Sequence, residues 1–191
     1  MEEETSFWSK LKDSLIDLIE FIAIVGALFV VIRFFIAEPH KVSGTSMTPN
    51  FHDGDYIITN KLTTRFGKPT RGEVIILQNP RNTSQDFIKR IVGLPGEKIR
   101  VENGKVYIND VPLDEPYLPP NTYTQSGAFL AEGEEITVPD NQYFVMGDNR
   151  GGSSDSREWG PVTYQLIIGQ AWVRYWPLKN GALIKIDQPS Q

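Results

Sequence analysis

The sequence predicts a mainly β domain carried on one N-terminal membrane-spanning helix. An apolar stretch near the N-terminus is long enough to cross a bilayer. After Pro39 the pattern changes to short runs of β-branched and aromatic residues, divided by Gly, Pro, Asn and Asp. We therefore divide the 191 residues into a short N-terminal segment at 1–14, a helix at 15–37, a β-rich domain at 38–187 and a tail at 188–191.

The predicted helix reads LIDLIEFIAIVGALFVVIRFFIA from Leu15 to Ala37. A span needs roughly 20 apolar residues, and Arg33 lies near enough to the end to snorkel to the interface. The alternatives are a cleaved signal peptide and a buried helix of a soluble protein. The bulky and charged residues that follow are unlike a small-residue cleavage site. Basic residues flank the span almost equally, so charge bias does not fix its orientation.

The β-rich domain contains at least six candidate strand segments. The pair within VENGKVYI predicts a hairpin, because Asn103-Gly104 suits a tight turn between alternating strands. Residues 113–133 are rich in Pro, Thr, Gly and Tyr and predict an exposed loop or extended excursion. The strand segments read DYIITNKL, GEVIILQNP, DFIKRIVG, KIRVENGKVYIND, EEITVPDNQYFVMGDN and IIGQAWVRYWPL.

Composition excludes several kinds of chemistry. There are 19 Lys and Arg against 24 Asp and Glu, a net charge of -5, which argues against nucleic acid as a partner. The chain has no cysteine, so disulfides, thiol nucleophiles and cysteine-ligated metals are excluded. A triad through histidine would have to use His40 or His52, and the sequence marks no orienting acid for either. We expect no metal and no cofactor.

The segment SGTSMTPN, residues 43–50, offers three hydroxyl side chains just after the predicted helix. It is either a polar turn or the site of a serine nucleophile. A serine hydroxyl attacks well only when a base takes its proton. A neutral lysine is one such base, as in the Ser-Lys variants of the catalytic triad.

The segment QDFIKRIVGLPGE contains two adjacent cations in an apolar strand, Lys89 and Arg90. Alternation places Lys89 on one face with Phe87 and Ile91, and Arg90 on the other. Burial lowers the pKa of a lysine, and a shift of roughly 3 units would leave about half of such lysines neutral at pH 7. The plainer alternative is an edge lysine that snorkels to solvent.

The segment MGDNRGGSSDSREWG, residues 146–160, is polar and glycine-rich and follows the apolar run QYFVM. Asp148, Asn149, Asp155 and Arg157 could form a buried network of ion pairs and amides. A solvated turn is the alternative. A calcium loop fits poorly, because the acidic residues lack the alternating spacing of a hand-type loop.

No single segment decides the function, but together they supply a nucleophile, a base and orienting groups. At these residues the sequence resembles the bacterial type I signal peptidases, membrane-bound serine proteases that remove signal peptides from exported proteins. The resemblance covers most of the chain. It rests, in order, on RFFIAEP, SGTSMTPN, GDYIITNKL, RGEVIIL, FIKRIVGLPGE, NGKVYIN, GDNRGGSSDSREWGPV and IIGQAWVRYWP.

The resemblance implies a signal-peptidase-like all-β catalytic domain in which Ser46 is the nucleophile and Lys89 the general base. It implies that Ser153 helps to orient the lysine and that Asp155 and Arg157 support the loop. Gly147, Asp148, Asn149 and Arg150 match the start of that loop. The reaction implied is acyl-enzyme formation followed by hydrolysis, with the main-chain N–H of Ser46 donating to the oxyanion.

The family cleaves after small residues at the -1 and -3 positions, and the resemblance implies a shallow cleft for them. Some members carry a serine two places before the nucleophile, where this chain has Gly44, so Ser43 or a main-chain group is the candidate second oxyanion donor. Several of the cleft residues could equally be plain core. The residues expected to line the cleft are Val42, Met47, Phe51, Ile57, Ile76, Asp86 and Ile88.

The resemblance also implies a location. The helix would hold a monomer in the cell membrane by a single pass, with the catalytic domain on the extracytoplasmic face. The partners expected are signal peptides of exported preproteins and membrane lipid. Two competing hypotheses are a soluble repressor-cleaving type of Ser-Lys protease and a catalytically inactive membrane-tethered β scaffold. The predicted span argues against the first, and the complete set of candidate groups argues against the second.

Overall fold

The computed structural model describes residues 2–178 and 182–183, and it confirms a mainly β protein with one N-terminal apolar helix. The predicted tail at 188–191 lies outside the described residues. The chain divides into two compact units, Met1–Ala37 and Glu38–Gln191.

The first unit is one long helix. Helix α1 covers Glu2–Val31 and continues as a π-helical turn over Ile32–Ile36. Within it, Lys12–Ile36 is long and apolar enough to cross a membrane, and none of that stretch is buried. Large apolar side chains such as Phe21 and Phe29 are about two-thirds exposed, at 64% and 66%. This surface fits a lipid environment by length and composition.

The second unit is built from short strands joined by turns, as the punctuated sequence pattern predicts. Two short helices interrupt them, α2 at Leu62–Phe66 and α3 at Ser156–Trp159. The strands are β1 (Ala37–Lys41), β2 (Tyr56–Asn60), β3 (Val74–Asn79), β4 (Asn82–Gly93), β5 (Lys98–Glu102), β6 (Lys105–Ile108), β7 (Val111–Pro112), β8 (Glu135–Thr137), β9 (Gln142–Met146), β10 (Val162–Thr163), β11 (Ile167–Trp176) and β12 (Ala182–Leu183).

Within the described residues the strands form two sheets. The larger has the order β1-β2-β11-β3-β4-β9-β10, with β12 also paired to β11, and the smaller has the order β7-β6-β5-β8. Strand β4 pairs with β3 along most of its length but with β9 only from Arg90 onward. One edge of residues 82–89 therefore has no paired strand in the part of the chain that is described. Strand β1 is an end strand of the same sheet.

The predicted hairpin is confirmed. Strands β5 and β6 pair antiparallel with Glu102 opposite Lys105. Asn103 and Gly104 between them have φ values of 50° and 76°. Both therefore adopt the left-handed backbone that a two-residue hairpin turn requires, which asparagine and glycine tolerate best.

Residues 113–133 form no strand, as predicted, but they are only partly exposed. Tyr117, Thr124 and Leu130 are buried. Leu130 packs into the core between the two sheets, with Val101 and Phe144 among its neighbours. The expectation of an exposed excursion is therefore wrong at these three side chains, which are buried and anchor the segment to the rest of the domain.

Candidate active site

Ser46 lies in the turn that follows β1 and is partly exposed. Two main-chain acceptors fix this turn, because Asn149 donates to the Ser46 carbonyl from its N–H (3.0 Å) and to the Thr45 carbonyl from its side-chain amide (3.1 Å). On the other side, the N–H of Gly44 donates to Asp53 Oδ1 at 2.8 Å. Gly44 has φ 89°, a backbone conformation that side chains disfavour. The serine is therefore held from both sides.

Lys89 reaches this serine from the middle of β4. Its Nζ lies 2.9 Å from Ser46 Oγ, and the residue is only 3% exposed. Burial lowers the pKa of Lys89 to about 8; Asp155 and Asp148 raise the pKa and Arg157 lowers it further. Roughly one such lysine in ten is neutral at pH 7, against about one in 2,500 in water. The lysine is buried and does not snorkel, so the plainer alternative is wrong.

The segment 146–160 also packs against Ser46 through Gly147 and Ser153. A Cβ on Gly147 would lie 2.2 Å from Ser153 Oγ and 2.4 Å from the Ser46 carbonyl oxygen. Only glycine therefore fits between the two serines. Ser153 Oγ is itself buried and makes no hydrogen bond, so the structure brings it to the site without a bond to Lys89.

Asp155 and Arg157 form a buried pair within this segment. Arg157 donates to both Asp155 oxygens, at 2.8 Å from Nε and 2.7 Å from Nη2. Asp155 also accepts from the main-chain N–H of Gly147 at 3.0 Å. Arg157 in turn donates to the carbonyls of Gln125 and Arg150. Of the predicted network, the Asp155–Arg157 pair is thus present, and it links the segment to the 113–133 excursion, whereas Asn149 binds the Ser46 turn instead.

A second buried pair joins Arg90 to Asp148. Nε and Nη2 of Arg90 donate to the two Asp148 oxygens at 2.8 Å and 2.7 Å, and both side chains are almost fully buried. Asn50 donates to Asp148 Oδ2 at 2.7 Å and to the Tyr117 carbonyl at 2.8 Å. Because Asp148 and Asp155 each bind a guanidinium, the calcium-loop alternative has no support. The sequence pattern marked Arg90 but not its partner.

A cavity of about 280 Å³ extends from Ser46 and Lys89 along β1 and β4. Five residues expected in a cleft do line it: Val42, Ile57, Ile76, Asp86 and Ile88. The other two, Met47 and Phe51, are 1% and 3% exposed and pack in the core cluster that also holds Val42 and Ile57. They support the wall and do not line the cavity.

His40 also lines the cavity, and sequence reasoning missed its place. Its Nε2 lies 3.5 Å from Asp86 Oδ2, and its Nδ1 lies 2.9 Å from Thr59 Oγ1. The histidine therefore has an acidic neighbour that the sequence did not mark, since Asp86 is 46 positions away and only the folded sheet brings it close. The hydroxyl of Ser46 is hydrogen-bonded to Lys89. Both ring nitrogens of His40 contact groups other than Ser46, namely Thr59 and Asp86.

A family model described as signal peptidase, peptidase S26, matches residues 15–176. This chain belongs to the signal peptidase family. The match includes most of the apolar stretch of the helix and all three segments that meet at Ser46, and it makes the protein a serine peptidase by family.

Named relatives agree with the family. The chain is 38% identical over 179 residues to signal peptidase I of Leptolyngbya laminosa, covering 90% of this chain and 84% of the relative. It is 40% identical over 163 residues to a probable signal peptidase I-2 of Synechocystis, covering 82% and 71%. Signal peptidase IB of Staphylococcus aureus is 30% identical over 181 residues, covering 89% and 94%.

A solved structure is also similar. The crystal structure of a signal peptidase I from Enterococcus faecalis is 34% identical and aligns with a TM-score of 0.45. The alignment covers 54% of this chain and 96% of that one.

Proposed function

We propose that this protein is a signal peptidase I that cleaves exported preproteins with Ser46 as nucleophile and Lys89 as general base. One observation carries the assignment of roles: a buried lysine with a pKa of about 8 has its Nζ 2.9 Å from the only serine hydroxyl to which it is hydrogen-bonded among the described residues. That distance is direct hydrogen-bond reach, which a base needs in order to take the proton.

Acylation follows from this contact. Neutral Lys89 accepts the proton of Ser46 Oγ while the oxygen attacks the scissile carbonyl. The tetrahedral oxyanion accepts from the main-chain N–H of Ser46. Lys89 then gives its proton to the departing amine, and the signal peptide stays attached to Ser46 as an ester. Water attacks this ester in the second half, and Lys89 takes the proton from that water.

The candidate second oxyanion donors are Ser43 and a main-chain group. The main-chain N–H of Gly44 already donates to Asp53 in this structure. Ser153 would keep Nζ aimed at Ser46, since its buried hydroxyl has a free hydrogen-bonding capacity beside the turn. Asp155 and Arg157 would hold that loop in place.

The substrate would lie as an extended strand along the unpaired edge of β4. Main-chain groups there can bind a peptide by strand addition. The cavity would take the side chains at -1 and -3, and small residues suit it because each extra methylene is rejected by roughly 1–3 kcal/mol in a close-fitting pocket. Val42, Ile57, Ile76, Asp86 and Ile88 would line these pockets, with Met47 and Phe51 behind them.

Cleavage of a preprotein with an Ala-x-Ala site by the detergent-solubilised protein tests the proposal. We expect product with the wild type and a loss of roughly 10³-fold or more in kcat/KM for Ser46→Ala. Thr137→Ala removes an exposed hydroxyl from the smaller sheet and should retain activity. Full activity of Ser46→Ala would refute the mechanism, whereas an inactive wild type would favour the scaffold hypothesis.

We also propose that the protein is a monomer anchored by a single pass, with 1–14 in the cytoplasm and the catalytic domain outside. The chain contains no cysteine, so single cysteines can report the topology without background from the protein itself. In right-side-out vesicles, a membrane-impermeant maleimide should label Lys105→Cys at once. It should label Lys10→Cys only after permeabilisation. The reverse pattern would overturn this orientation and, with it, access to emerging preproteins.

A further inference from the structure

The cavity wall carries an apolar row followed by a polar row. The apolar row, next to the dyad, consists of Val42, Ile57, Ile76 and Ile88. Two positions away in sequence from Val42, Ile57 and Ile88 stand His40, Thr59 and Asp86, which form the polar row. His40 and Asp86 line the cavity, and Thr59 is buried against His40. Side chains two positions apart share a face of a strand. Both rows therefore project to the same side of the sheet.

The polar row is one connected unit. The imidazole of His40 lies between the hydroxyl of Thr59 at 2.9 Å and the carboxylate of Asp86 at 3.5 Å. Thr59 is fully buried, the His40 side chain is 15% exposed and that of Asp86 is 41% exposed. The contacts are satisfied when Thr59 donates to Nδ1 and the Nε2–H of His40 faces Asp86. The row thus joins β1 to β4, two strands that are not neighbours in the sheet order.

A bound peptide would meet the rows in a fixed order. β1 leads toward Ser46 and β4 leads toward Lys89, so the dyad lies beyond the apolar row and the polar row lies further from it. In an extended peptide, residues two apart point the same way and are about 6.6–6.8 Å apart. If the -1 side chain meets the apolar row, the -3 side chain points to His40 and Asp86.

Resting on the function proposed above, we propose that His40 and Asp86 form a polar wall for the -3 side chain and select preproteins with a hydroxyl there. Threonine and valine have the same shape, so they isolate this effect. A threonine hydroxyl at -3 can donate to the Asp86 carboxylate. A valine methyl at the same place would leave the carboxylate and imidazole facing a group that cannot hydrogen-bond, and such a site discriminates against the apolar analogue.

Two preproteins that differ only at -3, one with threonine and one with valine, and both with alanine at -1, give the test. We expect the wild type to cleave the threonine substrate with roughly tenfold higher kcat/KM, since Asp86 is partly exposed and water moderates the preference. His40→Leu and Asp86→Leu should each bring the ratio to one or below. His52→Leu changes the other histidine, which is exposed and does not line the cavity, and should keep the wild-type ratio.

Binding separates this inference from the proposed function. The dissociation constants of the same two preproteins, measured with Ser46→Ala protein, should show the same preference and lose it with His40→Leu. If no form cleaves but this preference holds, the proposed function fails and the polar wall stands. A wild-type ratio of one, or an unchanged ratio in both leucine variants, overturns the polar wall while leaving the Ser46 mechanism intact. Should His40→Leu not fold, Asp86→Leu and Asp86→Asn decide.

Discussion

Replacing Lys89 with methionine should lower kcat/KM by about three to four orders of magnitude, because the Ser46 hydroxyl then has no base in contact with it. Methionine keeps the length and apolar character of the lysine stem, so packing in the buried site should survive. Lys98→Met, at an exposed position of the smaller sheet, is the matched control and should keep its activity. A single-turnover assay should show that the acyl-enzyme does not form in Lys89→Met.

The pH profile tests the same group without a mutation. The reactive form is neutral Lys89, and burial lowers the pKa of the lysine to about 8. Below that pH the protonated form predominates, so log kcat/KM should fall by one per pH unit, while above it the rate should level off. A plateau that persists down to pH 6 would mean that another group is the base. A rate that continues to rise up to pH 10 would contradict the lowered pKa of Lys89.

The pairing of Ser46 with Lys89 was expected only from the resemblance to the signal peptidases, because each segment alone also fitted a polar turn or an edge lysine; the structure places Lys89 Nζ 2.9 Å from Ser46 Oγ. The hairpin at Asn103-Gly104 was predictable from the residues themselves, since two adjacent residues determine that turn. The partner of Arg90 was not predictable from the sequence. Asp148 lies 58 positions away and becomes its partner only when β4 pairs with β9 in one register, with Arg90 opposite Met146.

The same limit explains two further differences. His40 and Asp86 meet because β1 and β4 approach each other across a sheet in which they are not neighbours, and no local pattern encodes that approach. Residues 113–133 have the composition of an exposed loop, yet Tyr117 lies under the Arg90 guanidinium at 3.9 Å. A single aromatic residue within a polar, proline-rich stretch does not show from sequence whether it is an anchor or a solvated side chain.

Asp148→Ala should destabilise the protein by about 3–5 kcal/mol, because it leaves the buried Arg90 guanidinium without its anion. Among the described residues, the hydrogen bond that Arg90 would keep is to the Gly72 carbonyl at 2.8 Å, which carries no full charge. Asn50 would lose an acceptor as well. The matched control is Glu135→Gln, which breaks the exposed Lys98–Glu135 pair and should cost less than about 1 kcal/mol.

Thermal unfolding of the solubilised full-length protein, followed by near-ultraviolet circular dichroism, should give a Tm lower by roughly 6–20 °C for Asp148→Ala and nearly unchanged for Glu135→Gln. A double variant, Arg90→Met with Asp148→Leu, should recover part of the loss, because it removes the charge together with its partner. Equal Tm values for the two single variants would show that the buried pair contributes no more than a surface pair.

The activity of Asp148→Ala should fall further than its loss of stability alone explains. Arg90 is adjacent to Lys89 on β4, and Asp148 precedes Asn149, which holds the Ser46 carbonyl. Loss of the pair would therefore loosen both sides of the dyad at once.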